Sequence, residues 1–224
     1  MFAATQLHEL SGDADPLLWA NRLTSQFQAL RNVDTGLPTT KISFRDPDLV
    51  EEQFAADFGD IALQANLLDD FKVEAPYYHN SRPREMLASF GLLEMQFSDS
   101  LGVDGEDTGQ WAADALLAYA EHAYDPITNT FDVLFNDGTV VTPEDASNDG
   151  SLPPHAFEPF RADGVFAWAY GRAFVETGNP IHWEMVRNIA NGHGLGDIGD
   201  VEGNGLSLYE GSAASDPLLI YGLL

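Results

Sequence analysis

The stretch "PIHWEMVRNIANG" places Trp183, Val186, Ile189 and Ala190 at intervals of three, three and one, the spacing of one face of a helix. Pro180 suits the first turn of that helix, and Gly192 and Gly194 suit a left-handed exit at its C-terminus. The run that follows, "GHGLGDIG", has the glycine content of a phosphate-binding loop. Such a loop leaves a strand and opens a helix, so that backbone N–H groups meet the phosphates. Here the glycines close a helix instead, and a nucleotide site is not indicated.

The same unit recurs along the chain. "HELSGDADPLLWANRLTSQFQALRNVDTGLP" from His8, "SDSLGVDGEDTGQWAADALLAYAEHAYDPITNTF" from Ser98 and "VETGNPIHWEMVRNIANGHGLGD" from Val175 share one pattern. Each shows the end of a helix, a turn with glycine and an acid or asparagine, then a second helix with a tryptophan near its start. Those tryptophans are Trp19, Trp111 and Trp183. The leading helices, within 84–102 and 163–178, are small and apolar on most faces and are expected to be buried on several sides. The following helices carry a polar stripe and are expected to lie outside. "FDVLF" before "NDGT" predicts a short hairpin.

Alternating inner and outer helices joined by short turns describe an all-α chain, an α/α toroid built of helical hairpins or an α-solenoid. Residues 48–70 add a helix without an assigned partner. The hairpins are too few to close a ring, and "SDPLLIYGLL" stops in an apolar run. The expectation is a single toroid domain over 1–224, incomplete and truncated at both ends.

Composition narrows the chemistry. A chain of 224 residues with 44% hydrophobic content can bury the core of an ordinary domain. Its 36 acids against 10 bases give a net charge of −26, scattered without an acidic tail, which reads as a solvated surface. Eight arginines and two lysines form no basic stripe, so nucleic acid is a poor partner. The absence of cysteine removes disulfides, thiolate metal sites and thiol nucleophiles. No apolar run approaches the roughly 20 residues of a membrane span. A basic region followed by an apolar stretch is not visible at the start, so no signal peptide is read there and the compartment stays open.

Two loops leading into presumed inner helices gather suitable side chains. "KVEAPYYHNSRPREML" brings Tyr77, Tyr78, His79 and Arg82 to one helix start, and "PPHAFEPFRADGVFAW" brings Phe160 and Arg161 to another. A guanidinium beside a helix N-terminus favours a carboxylate, and aromatic rings stack on sugar faces. An equal reading pairs Arg82 with Glu85 and Arg161 with Asp163, with His79 a hydrogen-bonded structural residue. Arg172, midway along an inner helix, either meets a ligand or bonds carbonyls of a neighbouring loop, because an unpaired buried guanidinium is costly. His122 and His182 fall on presumed outer helices and are expected at the surface. "DPITNTFDVLFNDGT" has calcium-loop composition without EF-hand spacing and reads as a turn. Neither G-x-S-x-G nor H-E-x-x-H occurs, and acid pairs are too abundant to single one out.

In order, "ALRNVDTGLP", "DLVEEQFAADFG", "AYDPITNTFDVLFNDGTVVT" and "HWEMVRNIANGHGLGDIG" resemble segments of the pectate lyases of polysaccharide lyase family 2, over residues 16–222. The resemblance implies an α/α toroid and β-elimination on polygalacturonate or oligogalacturonides, in the periplasm or the cytoplasm. It further implies an arginine base and a divalent metal, manganese or calcium, held by two histidines and a glutamate. No arginine-histidine dipeptide occurs here, so neither base nor metal ligands can be carried over, and the ligands are expected outside this chain. The expected contribution is one wall of a uronate-binding cleft, formed by Tyr77, Tyr78, His79, Arg82, Arg161 and Arg172. Another uronate-active toroid, a hydrolase or epimerase, and a non-catalytic helical scaffold remain open alternatives.

Overall fold

The computed structural model describes residues 2–29, 31–38, 91–96, 98–99, 106–135, 137–140 and 158–210. Helices α1 (Phe2–Ser11) and α2 (Asp15–Ala29) form a first hairpin. Helical residues at 91–96 and 98–99 precede α3 (Glu106–Ala123), and α4 (Gly164–Thr177) and α5 (Pro180–Gly192) form a further hairpin. The described residues are therefore mainly helical. Among the described residues the named strands form two-residue antiparallel pairings, β1 (Tyr124–Asp125) with β2 (Thr130–Phe131), and β3 (Gly196–Asp197) with β4 (Ser207–Leu208). An isolated bridge from Leu134 to Val140 marks the short hairpin expected after "FDVLF". The additional helix expected at 48–70 lies outside the described residues.

The turn between α4 and α5 follows from its residues. Asp163 caps α4, its carboxylate accepting the N–H groups of Val165 and Phe166 at 3.0 and 3.3 Å. Gly178 takes a left-handed conformation, φ 66°, and returns its N–H to the carbonyl of Phe174 at 2.7 Å. Asn179 then caps α5 through Ile181 N–H at 3.0 Å, with Pro180 in the first turn where its missing N–H is harmless.

The main core lies where α3, α4 and α5 meet. On α4, Phe166, Ala167, Ala169, Tyr170 and Ala173 are buried, as expected of an inner helix. On α5 a single stripe, Met185, Val186, Ile189 and Ala190, faces the core. Helix α3 differs from expectation. It was expected outside, yet Ala112, Ala113, Leu116, Tyr119 and Ala123 are all buried, because its alanines let both neighbouring helices approach. Tyr170 donates its hydroxyl to the Leu116 carbonyl at 3.0 Å and ties α4 to α3. Phe131 stacks on Tyr119 and Phe160, with ring centroids 5.4 and 5.9 Å apart, and joins the loop before α4 to the base of α3. Among the described residues, the α1/α2 hairpin has a small apolar cluster of its own, Leu17 and Ala20 with Ala4 against them, and also buries Thr5 and Thr24.

Candidate functional site

Helix α5 and the loop after it enclose a groove of about 460 Å³. Its floor carries Trp183 and Phe174, rings 5.8 Å apart and tilted by 48°. The indole N–H of Trp183 donates to the Gly199 carbonyl at 3.0 Å, which fixes the ring against the "GLGDIG" loop. That loop is held back on α5 by a two-pronged ion pair: Arg187 Nε and Nη2 donate to the Asp197 carboxylate at 3.0 and 2.8 Å. The same carboxylate accepts Gly199 N–H at 2.9 Å. Hydrogen bonding from Arg187, then from Gly199, holds Asp197 below the ordinary carboxylate range, and its partner Arg187 is raised in turn.

Gly196 is required for this closure. Its φ is +90°, and a Cβ there would lie 2.5 Å from the Ser207 carbonyl oxygen of the paired strand. Asp200 organises the far rim: its carboxylate accepts the N–H groups of Glu202 and Asn204 at 2.9 and 2.8 Å, and the Asn204 amide at 3.0 Å. The Asn204 side chain is the largest cause holding Asp200 below its usual range. Asn188, Asn191 and Glu184 line the wall along α5, and Tyr209, just after β4, donates to Asn191 at 3.1 Å. Among the described residues, three carboxylates, Glu184, Asp197 and Asp200, thus share the groove with one guanidinium. Its chemistry is that of a polar cleft with an aromatic floor, rich in hydrogen-bonding groups and net negative.

A second polar cluster sits between the helical residues 91–96 and α3. Arg31 donates to the Trp111 carbonyl at 3.0 Å, lies over the Trp111 ring at 5.5 Å and approaches Asp114 at 3.9 Å. Glu94 is 8% exposed, and burial pushes its carboxyl up to about 8, with Arg31 opposing. His182, expected at the surface, is 1% exposed beneath α3 and beside Tyr170, with ring centroids 6.0 Å apart. The hydrophobic stripe of α5 is wide enough to include it, and desolvation lowers it to about 4. Its Nδ1 has no partner among the described residues. His122 is exposed, as expected.

Of the expected cleft wall, Tyr77, Tyr78, His79 and Arg82 lie outside the described residues. Arg161 is exposed just before α4 and makes no ion pair among the described residues. Arg172 stands towards the other end of α4, where Nη2 meets both Asp99 oxygens at 2.8 and 2.6 Å and Glu176 at 3.7 Å. Its partners are carboxylates and not the carbonyls expected for a structural role. Gly109 of α3 makes room there, since a Cβ would lie 2.7 Å from Glu176 Oε1. The Arg187–Asp197 pair had a sequence signal: a scarce arginine ten residues before the aspartate of "GLGDIG". No group of three or more His, Asp or Glu side chains able to hold a metal ion occurs among the described residues, so they do not supply the implied donor set. Nor does any described helix have the length and apolarity to cross a membrane.

The fold is thus a helical chain whose glycine loop folds back on α5 to make a polar cleft lined by Trp183 and Phe174. The family model described as periplasmic pectate lyase matches residues 1–224, and the chain belongs to that family. It is 26% identical over 196 residues to the pectate disaccharide-lyase of Dickeya dadantii (strain 3937), a match that covers 78% of this chain and 33% of the relative. The chain thus spans about a third of that relative's length.

Proposed function

We propose that the chain is part of a pectate lyase that cleaves polygalacturonate by β-elimination, its hairpins forming a portion of an α/α toroid. The observation carrying this reading is the family match along the whole chain, 1–224. In the reaction a base removes the C5 proton beside the uronate carboxylate and the glycosidic oxygen leaves C4, so the new chain end holds a C4–C5 double bond. Charge that develops on the carboxylate must be stabilised in the transition state by preorganised cationic or hydrogen-bonding groups. This chain's part is to bind and orient the substrate. Arg161, exposed just before α4, suits a carboxylate through its guanidinium, the helix end itself being capped by Asp163. Tyr77, Tyr78, His79 and Arg82 are assigned to the same wall. Arg172, already neutralised by Asp99 and Glu176, acts in that wall by holding α4 against the helical residues before α3. The base and any metal donors are assigned to segments outside this chain.

Ultraviolet absorbance of the unsaturated uronide tests the reading. It is measured on the 224-residue chain and on a polypeptide extended at both ends with the corresponding segments of the Dickeya dadantii relative. Activity confined to the extended polypeptide, and abolished there by a chelator, is the expected result. Saturated products would move the assignment to a hydrolase, and silence in both polypeptides to a non-catalytic scaffold.

A further inference from the structure

We infer that the groove between α5 and the 196–208 loop is a binding subsite for an uncharged pyranose ring. The inference rests on the saccharide-active reading above and concerns a groove whose described lining includes none of the residues assigned to the uronate wall. At about 460 Å³ the groove falls within the roughly 300–1,000 Å³ of small-molecule sites. A pyranose presents an apolar C–H face and an equatorial rim of hydroxyls. Trp183 offers a ring of fixed orientation for the first, because its N–H is already committed to Gly199. For the rim, Asn188 and Glu184 offer donors and acceptors that make no side-chain hydrogen bond among the described residues, and Asn191 keeps its amide N–H groups after accepting from Tyr209.

Charge decides the kind of sugar. Arg187, the one cation lining the groove among the described residues, is spent on a two-pronged pair with Asp197, and Glu184 and Asp200 remain. A galacturonate carboxylate would therefore meet a net negative wall, whereas a neutral hexose or a uronate esterified at its carboxyl would not. Both share the same uncharged ring, and both can occur in a pectic chain.

The test is a ¹H–¹⁵N titration of the 224-residue chain, following the Trp183 indole and the Asn188 and Asn191 side-chain amides. The probes are galactobiose, methyl-esterified digalacturonate and digalacturonate. At least one uncharged probe is expected to move these resonances, with an affinity that changes little between roughly 50 and 500 mM NaCl. Binding by galactobiose alone assigns a neutral hexose, and binding by the ester alone assigns an esterified uronate. Digalacturonate is expected to bind about tenfold more weakly than the better uncharged probe at low salt. Asn188→Ala, at a helical position that alanine fits, should weaken binding about tenfold without unfolding the chain. Equal or tighter binding of digalacturonate would overturn the inference, as would shifts from putrescine that vanish with salt while the sugars leave the groove untouched. Loss of the lyase reading would show as absent unsaturated product from the extended polypeptide with these shifts intact. Lyase activity in the extended polypeptide, beside groove resonances that stay still in the 224-residue chain, would sink the subsite alone.

Discussion

Two buried titratable side chains set opposite pH limits on stability. Glu94 stays protonated in the fold up to about 8, whereas its ordinary value is 4.5. Between those values the unfolded chain binds fewer protons, so stability falls as pH rises. His182 stays neutral in the fold down to about 4 against an ordinary 6.5, so the unfolded chain binds more protons there and stability falls as pH drops. Each limb has a slope near 1.4 kcal/mol per pH unit, and between 4.5 and 6.5 the two cancel. Denaturant unfolding should therefore show a plateau from pH 4.5 to 6.5, with losses on both sides. Glu94→Gln, whose amide resembles the protonated acid, should leave stability near pH 4.5 almost unchanged but remove the alkaline limb, so that the variant gains about 2 kcal/mol over the parent by pH 6. A steep alkaline loss surviving in that variant would show that another group titrates there. His182→Phe, of similar shape and without a proton to gain, should flatten the acid limb down to the point where Asp197 and Asp200 protonate. Neither histidine nor glutamate was legible as buried. His182 occupies a polar residue's place beside an apolar stripe, and only the angle at which α5 meets α3 puts it inside.

At the scale of elements, the last loop depends on one glycine. Gly196→Ala forces a positive φ on a side chain and drives Cβ into the Ser207 carbonyl, at a cost of roughly 1–3 kcal/mol localised to the β3/β4 pair. Amide exchange should rise across 196–208 while α3 and α4 keep their protection; global unfolding would mean that the loop is integral to the core. Tyr170→Phe tests a different joint. Losing the hydroxyl that binds the Leu116 carbonyl should cost about 1 kcal/mol, read as a lower denaturant midpoint with unchanged slope. The α4/α5 hairpin was readable from sequence because its signals are local: a capping Asp163, a left-handed Gly178, Asn179 before Pro180, and apolar spacing in α5. Helix α3 was misplaced for the complementary reason. Its alanines look permissive in a one-dimensional pattern, and only packing from both sides shows that they are a contact surface. The Arg187–Asp197 closure was not read from the sequence: the arginine is scarce enough to be noticed, but only the folded-back loop brings the pair together.

For the whole molecule, the helical class and the family were legible because both are written in repeated and ordered segments, but the groove was not, since it is made by a loop returning onto its own helix. Charge is the property that acts at this scale. A net −26 on 224 residues repels itself in the compact state more than in an expanded chain, and it repels a polyanionic substrate over the same distances. The close pairs Arg187–Asp197 and Arg172–Asp99, at 2.8 and 2.6 Å, are in contact and lose less to salt than repulsion across the surface does. Raising sodium chloride from about 10 to 300 mM shortens the screening length from roughly 30 Å to less than 10 Å, so long-range repulsion should fade while local contacts persist. Thermal unfolding should move to higher temperature over that range and then level off. A continued rise with sulfate but not with chloride would instead identify an excluded-salt effect on buried apolar surface. Polygalacturonate binding should strengthen over the same interval, opposite to the behaviour of a protein that binds through a basic patch. Binding that weakens from the lowest salt upward would show that a concentrated cationic surface dominates, and the assignment of uronate recognition to a few local arginines would have to be given up.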